Sequence, residues 1–188
     1  MKSKRNVKHL IMVIGAVFAI VFAHASVVMA ATAKEIDVSS DAALDRFKVQ
    51  VKGADEYLKA AKGILVVPGV ARAGFILAGQ FGEGALREAG KTDGYYRMVS
   101  GSFGLTAGIE KYDMVIIFMT GEALKQFQDS KGWEAGVDAS VTMIKVGAAA
   151  TVETLRSQSP VVGFTFDEKG LYGDVSVRGA KFSKIKPE

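Results

Sequence analysis

The sequence predicts an α+β domain: an N-terminal amphipathic helix packed on a strongly curled, barrel-like antiparallel β-sheet that has one short inserted helix. Three observations predict this class. Residues 41–62 have a helical period. After Gly63, short apolar or alternating segments follow one another between turn residues, as in an antiparallel sheet. Glycine recurs inside several of these segments, which is typical of strand bulges, barrel corners and close backbone approach.

The first 30 residues have the layout of a cleavable secretory signal peptide. An uncharged apolar run at 10–22 is followed by small residues, and it is shorter than the roughly 20 residues that span a bilayer. We expect cleavage after Ala30, with Ala25 as second choice and an uncleaved anchor as the alternative. The protein would then be periplasmic or secreted, with 31–40 as a short lead and 41–188 as a single domain. The basic residues before the run are Lys2, Lys4, Arg5 and Lys8.

Composition narrows the possible functions of the mature chain. The whole sequence has 24 basic and 20 acidic residues, and four of the basic residues but no acidic ones precede Ala31. The mature chain therefore has 20 of each (24 minus 4, against 20), which removes support for nucleic-acid binding through bulk charge. His9 and His24 both lie in the leader, and cysteine is absent. Disulfides, His/Cys zinc sites, Ser-His-Asp triads and cysteine nucleophiles are excluded, and we expect no metal and no cofactor.

The predicted helix at 41–62 carries one apolar stripe. Ser39, Ser40 or Asp41 could cap its start, Gly63 fits its end, and Gly53 weakens it in the middle. Four lysines follow roughly one strip of this helix, and basic amphipathic helices can lie on anionic lipid. The segment nevertheless has five basic and four acidic residues, so a solvated helix packed on the sheet is the alternative. The stripe consists of Leu44, Phe47, Val51, Ala54, Leu58 and Ala61, and the lysines are Lys48, Lys52, Lys59 and Lys62.

The rest of the chain predicts mostly strands, with turns where Gly, Pro, Asp and Ser cluster. A short helix is expected at 121–129, and an Asp-Gly turn within Lys91–Gly94. A loop is expected at 157–160, and further turns at Asp167–Gly170 and near Gly179. The expected strands are 64–67 (ending at Pro68), 73–86, 95–110, 113–119, 137–150, 161–166, 171–177 and 180–185.

The run G-F-I-L-A-G-Q-F-G-E-G at 74–84 could suggest a phosphate-binding loop. Its spacing is G-x-x-G-x-G, the reverse of the dinucleotide fingerprint, and no long helix follows it. Glu83 would also place a negative charge inside an anion cradle. These residues are therefore interpreted as strand glycines. Four carboxylates near predicted element ends, Asp113, Glu122, Asp138 and Glu153, have no established spacing for acid–base work, so no catalytic residue is expected.

Five ordered blocks of the sequence resemble the SYLF domain family. The first is Ala61–Phe75, A-K-G followed by an apolar run and P-G-V-A-R-A-G-F. The resemblance extends from about Leu44 to the C-terminus, and it departs at Tyr95-Tyr96-Arg97 and at 145–148, where the family often has Trp-Ser-Pro and Gly-Pro. The other blocks are 101–108 (G-S-F-G-L-T-A-G), 113–118 (D-M-V-I-I-F), 136–141 (G-V-D-A-S-V) and 169–179 (K-G-L-Y-G-D-V-S-V-R-G).

The resemblance implies a non-enzymatic phospholipid-binding module. Eukaryotic relatives are associated with phosphoinositides and with actin; for an exported protein we carry over only association with phospholipid, anionic above all, or with a membrane surface. Lys62 and Arg72 flank a buried strand and match basic family positions, so they are the expected headgroup contacts, with Lys48, Lys52 and Lys59 behind them. The alternative for Lys62 and Arg72 is that they are strand-end charges paired with carboxylates. For the protein as a whole, the alternatives are a structural or protein-interaction module of the envelope without a lipid ligand, and a hydrolase using carboxylates. The oligomeric state stays open.

Overall fold

The computed structural model describes residues 31–74, 77–103, 108–145, 159–169 and 177–188. The fold is α+β, as predicted. None of the helices in these ranges is both long and apolar enough to cross a bilayer. The helices are α1 Ala33–Gln50, α2 Ala54–Ala60 and α3 Gly121–Asp129. The strands are β1 Gly63–Gly74, β2 Leu77–Glu88, β3 Lys91–Phe103, β4 Gly108–Phe118, β5 Trp133–Glu134, β6 Val141–Lys145, β7 Val161–Lys169 and β8 Lys181–Ile185.

Within the described ranges the strands form one sheet in the order β5-β8-β3-β2-β1-β4-β7-β6. All neighbouring pairs are antiparallel except β6 and β7, which are parallel. The prediction of an antiparallel sheet therefore needs a correction at this edge. Residues 146–160 separate β6 from β7, a connection long enough to return the chain in the same direction.

The sheet curls so that strands from its opposite ends meet on one side. Trp133 of β5 lies in the same buried cluster against which Val141 and Met143 of β6 pack, although β5 and β6 are the two edges of the sheet. We call this side the concave face. Leu124 and Phe127 of α3 fill part of it, and Phe127 contacts Trp133 with ring centroids 5.4 Å apart. The predicted curl and the predicted inserted helix are both confirmed.

The opposite, convex face is covered by α1 and α2. Phe47 of α1 and Tyr57 of α2 pack on Phe164 of β7, with ring centroids 5.1 and 5.0 Å apart. Burial of such large aromatic side chains contributes roughly 1.5–3 kcal/mol each. These contacts hold the predicted N-terminal helix on the sheet.

The bounds of the predicted helix at 41–62 were wrong at both ends. The helix begins at Ala33 because Thr32 forms a capping box: its hydroxyl accepts from the Glu35 N–H, and the Glu35 carboxylate accepts from the Thr32 N–H at 2.8 Å. It is interrupted after Gln50, where Gly53 adopts a left-handed φ of +79°. The result is two helices, of which the second ends at Ala60.

Two strand bounds also differ from prediction. β1 continues through Pro68 by means of a bulge, seen as a register shift between Val67 and Val70 against β4. The hairpin between β2 and β3 turns at Ala89 and Gly90, with φ of 49° and 77°, and not at Asp93-Gly94, which already lies in β3. The helix at 121–129 and the strands at 161–166 and 180–185 are confirmed, the last within one residue, as is the turn near Gly179.

Other predicted elements are met only partly. The strand expected at 137–150 occupies Val141–Lys145, with residues 146–150 outside the described part. β7 continues to Lys169 through Asp167, which has a φ of 51°, where a turn was expected. The loop at 157–158, Gly170 and the strand at 171–176 also lie outside the described residues.

The glycines of the run at 74–84 allow β1 to approach β2 closely. A Cβ atom on Gly84 would overlap the carbonyl oxygen of Val66, and one on Gly82 would lie 2.7 Å from Cγ1 of Val67. Both glycines stand opposite the β1 bulge, where the register against β2 shifts between Val66 and Ala71. The interpretation as strand glycines is confirmed, and close approach of β1 is the specific reason for Gly82 and Gly84.

Candidate functional site

Four of the five predicted site residues lie on the segment that links α1 to β1. Lys48 is in the last turn of α1, Lys52 in the helix interruption, Lys59 in α2 and Lys62 immediately before β1. All four side chains are exposed. We call residues 48–62 the basic segment, since it holds these four lysines against two carboxylates, Asp55 and Glu56.

The lysines of the basic segment are weakly engaged within the protein. Lys48 Nζ lies 3.4 Å from Asp45 Oδ1, and both side chains are largely in water. Such an exposed pair contributes at most about 1 kcal/mol. No carboxylate of the described ranges lies within 4 Å of Lys52, Lys59 or Lys62. Lys52, Lys59 and Lys62 can therefore contact an external anion without first breaking an internal pair.

The basic segment also exposes an apolar side chain. Val49 is 87% exposed, while Phe47 and Val51 on either side of it are buried against the sheet. Val49 lies between Lys48 and Lys52 at the point where α1 ends. An apolar side chain flanked by lysines suits the boundary between lipid headgroups and acyl chains.

Arg72, the fifth predicted residue, lies apart from the lysines. Its strand partners are Gln80 on β2 and Glu110 on β4, and it faces the concave side of the sheet. The Arg72 side chain is 12% exposed, and its Nη1 lies 3.6 Å from Oε2 of Glu110, which is 14% exposed. The structure thus does not bring Arg72 together with Lys62.

Arg72 belongs to a buried polar row that crosses the concave face. The register places Glu110, Arg72, Gln80 and Ser100 side by side on β4, β1, β2 and β3. Gln80 and Ser100 are 4% and 6% exposed. The Tyr112 hydroxyl donates to Oε1 of Gln80 at 2.5 Å and joins this row to the apolar core. Within this row Arg72 pairs with Glu110 and Gln80 accepts from Tyr112, contacts that favour a structural role for Arg72.

The sequence analysis did not identify Gln80, Ser100, Glu110 or Tyr112. Residues 73–86 and 95–110 were predicted as strands, but these bounds gave no register between them. Gln80 and Ser100, polar residues among apolar and glycine positions, are the signal that could have indicated the row. The residues of the polar row are distant in the sequence and become neighbours because β1 pairs with both β2 and β4.

Of the candidate carboxylates in the described ranges, Asp113 and Asp138 accept hydrogen bonds that hold the fold. Asp113 is buried, but it accepts from Arg46 and from the Gly69 N–H at 2.7 and 2.8 Å. Asp138 accepts from the Glu134 N–H at 2.6 Å and is exposed, as is Glu122, and Glu153 lies outside the described part. The described residues contain no group of three His, Cys, Asp or Glu side chains that could hold a metal ion.

Clear pKa shifts occur at Glu35 and at three tyrosines, away from any carboxylate pair. Hydrogen bonds from the Thr32 backbone and hydroxyl lower the pKa of Glu35. Burial raises the pKa of Tyr57 and Tyr95, assisted by the charge of Glu56 and by the bond to Asp37 respectively. Burial, with a contribution from Asp93, raises the pKa of Tyr96 to about 12. These shifts keep the tyrosines neutral and do not create a general acid or base near pH 7.

Comparison with known proteins identifies the family. A family model described as "Ysc84: Las17-binding protein actin regulator" matches residues 99–187, the second half of the domain. LAS seventeen-binding protein 3 of Saccharomyces cerevisiae (strain YJM789) is 32% identical over 144 residues. The chain carries a SYLF domain of the Ysc84 family. The resemblance seen in the sequence blocks is thereby confirmed.

The SYLF domain is one part of the relatives that it matches. The alignment with LAS seventeen-binding protein 3 covers 70% of this chain but 31% of the yeast protein. Protein YSC84 of strain ATCC 204508 / S288c is 31% identical over 144 residues, which are 70% of this chain and 30% of that protein. The chain therefore spans about a third of the length of these curated relatives.

Proposed function

We propose that this protein is a non-enzymatic, exported SYLF-domain protein of the cell envelope that associates with anionic phospholipid surfaces. The observation that carries the proposal is Val49, held 87% exposed between Lys48 and Lys52 in a segment with four exposed lysines. The leader at 1–30 supports export, and the family membership supports a binding module.

The physical basis is an electrostatic attraction assisted by one apolar contact. Each lysine close to an anionic leaflet contributes about 1 kcal/mol. The two carboxylates of the segment, Asp55 and Glu56, offset part of this. Binding should therefore be weak, selective for anionic lipid and lost as ionic strength rises, since salt screens exposed charges.

Vesicle flotation tests the proposal. Protein expressed from the full sequence is mixed with vesicles of phosphatidylglycerol and phosphatidylethanolamine, or of phosphatidylcholine alone. We expect flotation with the first only, and its loss when Lys48, Lys52, Lys59 and Lys62 are all changed to Glu. A control with the same net charge changes four other exposed lysines, Lys34, Lys91, Lys125 and Lys131. Equal flotation with both vesicle types, or equal loss in both variants, contradicts the proposal.

A protein-interaction module is the second candidate. The specific observation in its favour is the description of the matched family and of its yeast relatives, which names Las17 binding. For this chain the corresponding proposal is a protein partner in the envelope. Chemical cross-linking in intact cells, followed by mass spectrometry, distinguishes the two. A stable protein adduct together with absence of flotation would favour this second candidate.

A further inference from the structure

We propose that the convex face of the sheet carries an apolar membrane-contact surface, separate from the basic segment. It is a row of five side-by-side residues, Lys111, Ala71, Phe81, Val99 and Lys181, on the adjacent strands β4, β1, β2, β3 and β8. We call it the convex row. This inference rests on the proposed function and assigns a second part of the lipid-binding surface.

The register fixes the direction in which the row faces. Direct partners in antiparallel strands share a face, and successive residues alternate between faces. The next residue along each of several strands, Gln80 on β2, Ser100 on β3 and Phe182 on β8, is buried on the concave side. The convex row therefore points to the opposite side, which α1 covers elsewhere.

The centre of the row is apolar and open to solvent. Phe81 is 39% exposed and Val99 is 51% exposed, and they are direct partners across β2 and β3. On the side away from α1, the next row along the strands contains the exposed Gly79 and Gly101, and a Cβ on either would meet no atom within 4 Å. These two glycines have no side chains that could shield the apolar pair on that side, so a flat surface can contact Phe81 and Val99.

The charges around the row complement an anionic surface. Lys111 and Lys181 are exposed at its two ends, about 19 Å apart for four inter-strand spacings. The Arg97 guanidinium lies 5.6 Å from the centre of the Phe81 ring and donates to Glu83, which is 9% exposed. Glu83 is thus neutralised, so the nearby exposed charges are mainly cationic.

Glu134 is the acidic exception, since it pairs in register with Lys181 at the far end of the row. It is half-buried, whereas Lys181 is exposed. The acidic charge therefore weakens one end of the row without reversing its sign.

This pattern favours a membrane over a second copy of the chain. Lysine stems can lie along apolar surface while their ammonium groups reach lipid phosphates, and apolar side chains between them enter the headgroup boundary. Two copies stacked with their rows aligned would place lysine against lysine at both ends, in either direction. The occupant that fits both the apolar centre and the cationic ends is an anionic phospholipid surface.

The test compares the convex row with the basic segment on phosphatidylglycerol-containing vesicles, using protein expressed from the full sequence. We expect Phe81→Ser with Val99→Ser to lower vesicle partitioning roughly ten-fold. Lys111→Gln and Lys181→Gln should each lower it by roughly five-fold. The matched apolar control is Val137→Ser, a valine outside the row that is 70% exposed in the turn after β5.

A fluorescence measurement guards against misfolded variants. The single tryptophan, Trp133, is 1% exposed and gives a constant background. In Phe81→Trp we expect the added emission to shift to the blue when anionic vesicles are added, and in Val137→Trp we expect no shift.

The outcomes separate the two proposals. The convex row is overturned if the row variants partition as the unsubstituted protein does and Phe81→Trp shows no shift. If the variant that changes the four lysines also loses binding, the proposed function stands. Failure of the unsubstituted protein to bind vesicles overturns the proposed function itself. A change in oligomeric state in the row variants, without a change in partitioning, assigns the row to self-association and overturns the inference.

Discussion

The Arg46 guanidinium lies 2.6 Å from the Asp113 carboxylate and ties α1 to the convex face of β4. The other oxygen of Asp113 accepts from the backbone N–H of Gly69 at 2.8 Å, in the bulge of β1. One buried carboxylate thus joins a helix to two strands. Asp113, which sequence analysis considered as an acid–base candidate, is a structural residue in this arrangement.

Removal of the Asp113 carboxylate should destabilise the domain. Asp113→Ala leaves the Gly69 N–H without its acceptor and Arg46 without its buried partner, so the free energy of unfolding should fall by about 2–4 kcal/mol. Asp45→Ala is the control, because Asp45 is exposed and its pair with Lys48 is long, and its effect should stay within about 0.5 kcal/mol. Urea unfolding measures both. Equal effects would contradict the role of Asp113.

Glycine is required at one position of the 74–84 run and not at another. Gly84→Ala brings a Cβ into the Val66 carbonyl, where backbone must shift, and it should cost about 3 kcal/mol or prevent folding. Gly79→Ala meets no atom within 4 Å and should change stability by less than about 1 kcal/mol. The melting temperatures of the two variants check this. A similar loss in both would contradict close backbone approach as the specific reason for Gly84.

The Tyr96 hydroxyl is buried without a hydrogen-bond partner among the described residues. Tyr96→Phe should therefore raise the free energy of unfolding at neutral pH by about 1 kcal/mol. Tyr112→Phe is the matched control and should lower it by a similar amount, because the Tyr112 hydroxyl donates to Gln80. Loss of stability in both variants would show that the Tyr96 hydroxyl has a partner.

Tyr96 also predicts the alkaline limit of stability. Its folded pKa of about 12 exceeds the ordinary value near 10, so the folded state retains a proton that the unfolded state releases. Its contribution is present below pH 10 and is lost as the pH rises through 12. Wild-type stability should fall in this window and fall less steeply in Tyr96→Phe, as measured by urea unfolding at successive pH values. Parallel slopes would contradict the shift.

The fold class could be predicted because it depends on local signals. The apolar period of α1, the short apolar runs and the inserted helix at 121–129 each lie within one segment. The errors arose where a distant contact or a single cap decides. The apolar stripe predicted a helix that begins at Asp41, whereas the capping box of Thr32 and Glu35 starts α1 at Ala33, eight residues earlier. The bulge at Pro68 is recognised only from the pairing of β1 with β4. The parallel direction of β6 is set by its pairing with β7, and no local signal in the sequence indicates it.

The candidate site could be predicted only in part. Lys48, Lys52, Lys59 and Lys62 lie on one stretch because they are close in the sequence, and they stay exposed although the predicted single helix is interrupted at Gly53. Arg72 is only ten residues from Lys62, but the β1 bulge lies between them and the Arg72 side chain faces the concave side. The exposure of Phe81 and Val99 could not be predicted, because it depends on how much of the convex face α1 covers near β2 and β3.

Ala31, the residue after the expected cleavage site, lies close to the Glu83 carboxylate. The Ala31 nitrogen lies 3.3 Å from Oε2 of Glu83, a side chain that is 9% exposed. Cleavage after Ala30 would convert this N–H into an ammonium group facing a buried carboxylate. We expect a chain that begins at Ala31 to be more stable than one that begins at Ser26 by about 1 kcal/mol.

The source of that difference can be isolated with a second substitution. In Glu83→Gln the two chain lengths should have equal stability, because the charge that the terminus would meet is gone, whereas the control Glu88→Gln should preserve the difference. N-terminal sequencing of the exported protein should begin at Ala31. A mature protein that begins at Ser26, or a stability difference that persists in Glu83→Gln, contradicts an ion pair between the new terminus and Glu83.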